Sequence, residues 1–216
     1  MKKMHKRAMA LCLTAALCSG LLAGCGGEKN TAETQQATEA QAADVQTESS
    51  DIYVEKIDGI SDDFIRGMDA SEVLSLENSG VKYYDYDGNE QDIFKTLADS
   101  GVNYIRLRVW NDPYDKDGNG YGGGNCDLNT AVELGKRATK YRMKVNIDFH
   151  YSDFWADPKR QNCPKAWEGM DLEQKKEALY QFTKDSLNTL LDAGVDVEMV
   201  QIGNEINYGL AGEKLQ

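Results

Sequence analysis

The sequence predicts an α/β fold of the (β/α)8 TIM-barrel kind, of which this chain holds about the first four βα units. From Asp51 onward short apolar runs alternate with longer amphipathic ones, and the C-terminal ends of the apolar runs collect charged, amide and imidazole side chains. Strands alternating with helices form βαβ units with right-handed crossovers and a parallel sheet. An open doubly wound sheet is the rival, weakened because no glycine-rich phosphate loop follows the first strand.

Taken in order, Phe64 to Ala70 reads as the first strand and Glu90 to Ser100 as a helix stopped by Gly101. Asn103 to Trp110 is the second strand, followed by a helix over Asp127 to Tyr141 capped by Asp127. Met143 to His150 is the third strand, Asp171 to Ala193 a helix ended by Gly194, and Val197 to Glu205 the fourth strand. Between them, Asp115, Asp117 and Asn119 open like a calcium loop. The twelfth position, however, is Cys126 where a bidentate Glu is needed, so a plain Gly-rich turn is the reading.

Two segments of other character precede the folded portion at 51–216. Residues 1–25 carry Lys2, Lys3, Lys6 and Arg7, then an apolar run from Ala8 to Leu22, then Ala23, Gly24 and Cys25. This has the form of a secretory signal, and its apolar run is shorter than the roughly 18–20 residues of a spanning helix. The Leu22 to Cys25 string resembles a bacterial lipobox, which implies a lipid on Cys25 and a secreted lipoprotein anchored to the membrane at the bacterial cell surface. Residues 26–50 are Ala, Gln, Thr, Glu and Ser-rich with no aromatic residue, a composition that predicts a disordered tether. With Cys12 and Cys18 in the leader, Cys126 and Cys163 remain; export permits a disulfide, and the reading taken is two unpaired thiols in loops. The net charge of −12 becomes more negative once the basic leader is removed, which argues against nucleic acid or anionic lipid as a partner and suits a neutral ligand.

In a barrel of this kind chemistry collects at the C-terminal strand ends, where the βα loops converge. Those ends hold Asp69, then Arg106, Arg108 and Trp110, then Asp148 and His150, then Asn204 and Glu205. Side chains alternate along a strand, so Ile105, Leu107 and Val109 pack on helices while Arg106, Arg108 and Trp110 face the barrel axis. Arg106 reads equally well as a structural ion-pair residue; Arg108, nearer the strand end, reads as a group that holds carboxylates ionised and oriented. Val145, Ile147 and Phe149 alternate in the same way with Asn146, Asp148 and His150. His5 is the only other histidine, so a His-rich metal site is ruled out by count. No Gly-x-Ser-x-Gly elbow supplies a serine nucleophile for a triad. At the fourth strand end Asn204 offers a donor and an acceptor for a sugar hydroxyl, and Glu205 can serve as acid/base. The loop after His150, with Tyr151, Phe154, Trp155 and later Trp167, suits stacking on the apolar faces of sugar rings.

At these residues the chain resembles glycoside hydrolase family 53, the arabinogalactan endo-β-1,4-galactanases of clan A. The strings that carry the likeness are Arg66 to Ser71, Asn103 to Trp110, Asp148 to Pro158 and Val200 to Glu205. The resemblance implies a (β/α)8 barrel that cleaves internal β-1,4-galactosidic bonds of type I arabinogalactan with retention and with no catalytic metal or other cofactor. It assigns Glu205 as the acid/base and Asn204 as the residue on the sugar 2-hydroxyl. Arg108 and His150 match the supporting shell, and Trp155 matches the substrate groove; Asp69, Asp148 and Trp110 complete the candidate binding set. The family's nucleophile lies at the end of a seventh strand, and some bacterial members hold calcium in their later loops. Gln216 follows the fourth strand, so the expectation is a truncated stretch that folds poorly and does not hydrolyse by itself. The alternatives are a galactan-binding surface lipoprotein that does not cut, and another clan A hydrolase such as a mannanase or cellulase.

Overall fold

A computed structural model describes Glu55 and residues 57–214. The leader, Cys25 and the tether lie outside the described residues. Four strands form one parallel sheet in the order β1 (Gly67–Asp69), β2 (Tyr104–Val109), β3 (Lys144–Phe149), β4 (Val197–Ile202). The connections carry α1 (Val73–Asn78), α2 (Ile93–Asp99), α3 (Leu128–Lys140) and α4 (Leu172–Asp192). A two-stranded antiparallel ribbon, β5 (Gly209–Leu210) and β6 (Glu213–Lys214), follows β4. Sequential strands that are neighbours, parallel and joined by helices make an arc of a βα barrel.

Each long helix begins where a side chain satisfies free N–H groups. Asp92, Asp127 and Asp171 cap α2, α3 and α4, and Asp171 forms a reciprocal capping box with Gln174. Gly101 and Gly194, both at positive φ, stop α2 and α4 as expected. The helix-facing residues Ile105, Leu107, Val109, Val145, Ile147 and Phe149 are all buried, and they share one core with Phe94, Leu134, Ala138 and Leu190. Gly135 lets α3 approach closely, because a Cβ there would lie 2.7 Å from Val195 Cγ1. Arg137 ties three helices by hydrogen bonds to Glu77 at 2.7 and 2.8 Å and to Asp92 at 2.8 Å.

Three elements differ from expectation. The first strand is only three residues, because the Asn103 side chain takes the place of ladder partners: its Oδ1 accepts Arg66 N–H at 2.8 Å and its Nδ2 donates to Phe64 O at 3.0 Å. In β4 the plain alternation is broken. Val197 pairs with Val145 but Met199 pairs with Asn146, so Glu198 is an extra residue in the ladder. The same strand ends at Ile202, so Gly203, Asn204 and Glu205 lie beyond it. The six-residue α1 has no side-chain cap and gave no periodic signal. The turn at Asp115 closes on itself: Asp115 Oδ1 accepts the N–H groups of Asp117 at 2.9 Å and Asn119 at 2.8 Å. Among the described residues no group of three His, Cys, Asp or Glu side chains is placed to hold a metal, and the calcium expectation concerns later loops that these residues do not include.

Candidate active site

The strand ends converge on Arg106. In register, Arg106 lies beside Asn146 and Asp148 beside Gln201, so the axis-facing side chains of β2, β3 and β4 are neighbours. The Arg106 guanidinium donates to Asp69 and Asp148, to Asn204 Oδ1 at 3.0 Å and to Gln201 Oε1 at 3.2 Å. Asp148 is fully buried, and a buried carboxylate without a cation beside it is strongly destabilising. Burial pushes the Asp69 carboxyl up, but the Ser71 hydroxyl and N–H, with the Arg108 and Arg106 guanidinium groups, outweigh it and hold the group below its usual range.

Arg108 is buried beside this hub and serves other partners. Its Nη2 donates to Glu72 Oε1 at 3.0 Å, its Nε lies 3.8 Å from Asp69, and its guanidinium covers the Trp155 ring at 4.3 Å. Glu205 is not among its contacts, so the carboxylates it orients in the described residues are Glu72 and Asp69. Trp110 is also fully buried, at 4.9 Å from the Phe154 ring and 5.9 Å from those of His150 and Trp155. Its indole is a floor under the Trp155 loop and offers no face to solvent. Trp155, by contrast, is 37% exposed.

His150 is fully buried and accepts the Ala156 N–H on Nδ1 at 3.1 Å, which leaves its proton on Nε2. Asp148 Oδ2 lies 3.0 Å from that Nε2 but off the N–H axis, so this is a close electrostatic contact and not an aligned hydrogen bond. Asn204, nearly buried, donates from Nδ2 to Ala156 O at 2.7 Å. Glu205 follows with its side chain exposed and its backbone at φ 50°, a left-handed conformation uncommon for a residue with a Cβ. Gly203, at φ 81°, makes the bend possible, since a Cβ there would collide with Ile206. Gln161 Nε2 holds the same segment by its backbone, reaching Asn204 O at 2.8 Å and Glu205 O at 3.4 Å.

A cavity of about 760 Å³ adjoins this segment, lined by Tyr121, Phe154, Gln161, Lys165 and Tyr208 among others. Glu205 is not in its wall; Gln161 connects the two. The volume falls in the range of small-molecule clefts. Burial pushes the Cys126 thiol up to about 12, which removes it as a nucleophile, and both Cys126 and Cys163 are free. The sequence singled out Asp69, Arg108, Trp110, Asp148, His150, Asn204, Glu205 and Trp155, and the structure gathers all of them along the ends of β1 to β4. Ala156, Gln161 and Gln201 were not foreseen. Only Gln201 had a signal, its place in the axis-facing column of β4.

Parallel βα units whose strand ends gather carboxylate, amide, imidazole and an exposed indole have the layout of a barrel-type glycoside hydrolase domain. The family model described as glycosyl hydrolase family 53 matches residues 65–216, and the chain belongs to that family. Its fold is accordingly the first four βα units of a (β/α)8 barrel. It is 56% identical over 165 residues to an endo-beta-1,4-galactanase of Bacillus subtilis, covering 76% of this chain and 38% of that protein. An arabinogalactan endo-beta-1,4-galactanase of Humicola insolens is 41% identical over 145 residues, covering 67% of this chain and 41% of that protein. Among solved structures, the GH53 catalytic domain of Ignisphaera aggregans superposes with a TM-score of 0.72 at 46% identity, covering 74% of this chain and 45% of that one. The chain thus spans about two-fifths of the length of the curated relatives it matches.

Proposed function

We propose that the whole protein is an arabinogalactan endo-β-1,4-galactanase that cleaves internal β-1,4-galactosidic bonds of type I arabinogalactan with retention. The observation that carries this is the Asn204–Glu205 segment just past β4, where a bent backbone projects an exposed carboxyl while its neighbour is held by Arg106 and Ala156. Glu205 protonates the departing glycosidic oxygen and, in the second half of the reaction, takes a proton from the incoming water. A second carboxyl group, about 5–5.5 Å away in retaining enzymes, is the nucleophile and by family resemblance belongs to a seventh strand. Asn204 bonds a sugar hydroxyl and Trp155 gives a ring face for stacking. The matched relatives are named as galactanases, which supports galactan over mannan or cellulose. No residue of this chain calls for a cofactor in these steps.

The test is hydrolysis of β-1,4-galactan, β-1,4-mannan and cellulose by the full-length protein, with the anomer of the first product read by NMR. Internal cleavage of galactan alone, with the β anomer appearing first, supports the proposal. Galactan binding without cleavage would replace it with the non-catalytic reading. We propose also that Cys25 is lipidated and anchors the exported protein at the bacterial surface, supported by the Leu22 to Cys25 string. Substitution of Cys25 by Ala should release the protein from the membrane fraction; retention there would remove the anchor.

A further inference from the structure

Building on the proposed acid/base role of Glu205, we infer that His150 is a positioning residue that ties the Trp155 loop to the Asn204–Glu205 segment through the peptide of Ala156. Ala156 is fully buried, and both polar atoms of its backbone are committed: its N–H to His150 Nδ1 at 3.1 Å, its C=O to Asn204 Nδ2 at 2.7 Å. Onward from Asn204 the contacts return to their start. Asn204 Oδ1 accepts from Arg106 at 3.0 Å, Arg106 holds Asp148, and Asp148 lies 3.0 Å from His150 Nε2. Five residues close a ring: Arg106 on β2, Asp148 on β3, His150 and Ala156 in the segment after β3, and Asn204 just past β4.

The ring fixes two orientations that would otherwise be free. Turning over the Asn204 amide would set its NH2 against the Arg106 cation and its oxygen against the Ala156 carbonyl, so one orientation is enforced. What remains for a ligand is one N–H, which makes Asn204 a donor to a sugar oxygen. Likewise His150 must leave Nδ1 without a proton, or two N–H groups would face each other.

The ring serves two residues that it does not include. Trp155 directly precedes Ala156, and Glu205 directly follows Asn204; both are exposed. A sugar stacked on the Trp155 indole is therefore registered against the Glu205 carboxyl by a path of two peptide units and one hydrogen bond, from Asn204 Nδ2 to Ala156 O, while His150 Nδ1 fixes Ala156 from its N–H side. Misplacing a reacting group by about 1 Å costs on the order of a hundredfold in rate.

The experiment uses His150→Gln and His150→Asn in the full-length protein, with His150 tautomer NMR on the parent. A Gln amide reaches the Nε2 position, keeping the contact with Asp148 but losing the acceptor for Ala156; an Asn oxygen sits where Nδ1 sits and keeps it. The expected result is a fall in kcat of about a hundredfold for His150→Gln with a much smaller change in KM, and about threefold for His150→Asn. Acrylamide quenching of Trp155 fluorescence, identified by a Trp155→Phe control, should rise in His150→Gln only. Equal kcat and equal quenching in the two variants would overturn the inference. So would a proton on Nδ1 in the parent, a measurement that stands even if His150→Gln does not fold. Quenching and tautomer need no substrate, so they can succeed or fail independently of activity on galactan.

Discussion

On the helix-facing side of β2 and β3 the buried residues Ile105, Leu107, Val109, Val145, Ile147 and Phe149 carry no polar side-chain atom, whereas the alternate residues Arg106, Arg108, Asn146 and Asp148 put charge and amides on the axis side. The first set is defined by volume and area, and each member touches whatever fills the space. The second set is defined by partners: Asp148 has Arg106 and His150, and Asn204 has Arg106 and Ala156. Non-directional packing tolerates exchange among aliphatic residues of similar volume; directional pairs in a desolvated place do not. A single strand therefore divides stability and chemistry between its two faces.

Substitutions can break that division or sharpen it. The largest effect belongs to the axis side. Glu205→Gln in the full-length protein should lower kcat on galactan by about 10²–10⁴-fold, the usual share of acid/base catalysis, while its melting temperature stays that of the parent because the carboxyl is exposed. Equal activity in the two proteins would remove Glu205 from the mechanism. Next comes the helix side. Ile147→Ala leaves a void in the core and should lose about 2–5 kcal/mol in denaturant unfolding, with kcat per folded molecule unchanged. A rate loss there without a stability loss would show that the faces are coupled.

The smallest effect tests an exception, an axis residue that adds stability. The Asp69 pKa is depressed in the folded protein, so its contribution is present above the unfolded value near 3.8 and is lost as pH falls through the lower folded value. Asp69→Asn should therefore flatten the stability profile below about pH 4 while lowering stability at neutral pH. An unchanged acid limb would mean that the Ser71 and arginine contacts hold no net preference for the charged form.

The helix face could be read from alternation alone, α3 from its period and the Asp127 cap, and α4 from its period and the Gly194 stop. The strand-end residues could also be named, because charge on an otherwise apolar run is conspicuous. Which guanidinium reaches which partner could not. Arg106 rather than Arg108 bonds Asn204, 98 positions away in sequence, and no local pattern encodes such reach. The same holds for Ala156, whose part is played by its backbone and not by its methyl group. The first strand was overdrawn because an Asn side chain can imitate a strand neighbour, as Asn103 does for Arg66. The fourth was overdrawn because a glycine and a left-handed Glu205 turn the chain after Ile202.

The unpaired residue in β4 has a consequence for how this strand can change length. Val145 pairs with Val197 and Asn146 with Met199, so excising Glu198 would join two ladder positions that are already correctly opposed. The same excision at Val200 or Gln201 would turn every later side chain to the wrong side of the pleat and carry Asn204 and Glu205 with it. Glu198 is thus the position whose removal leaves the later ladder pairs, and the Asn204–Glu205 segment after them, facing as they do now.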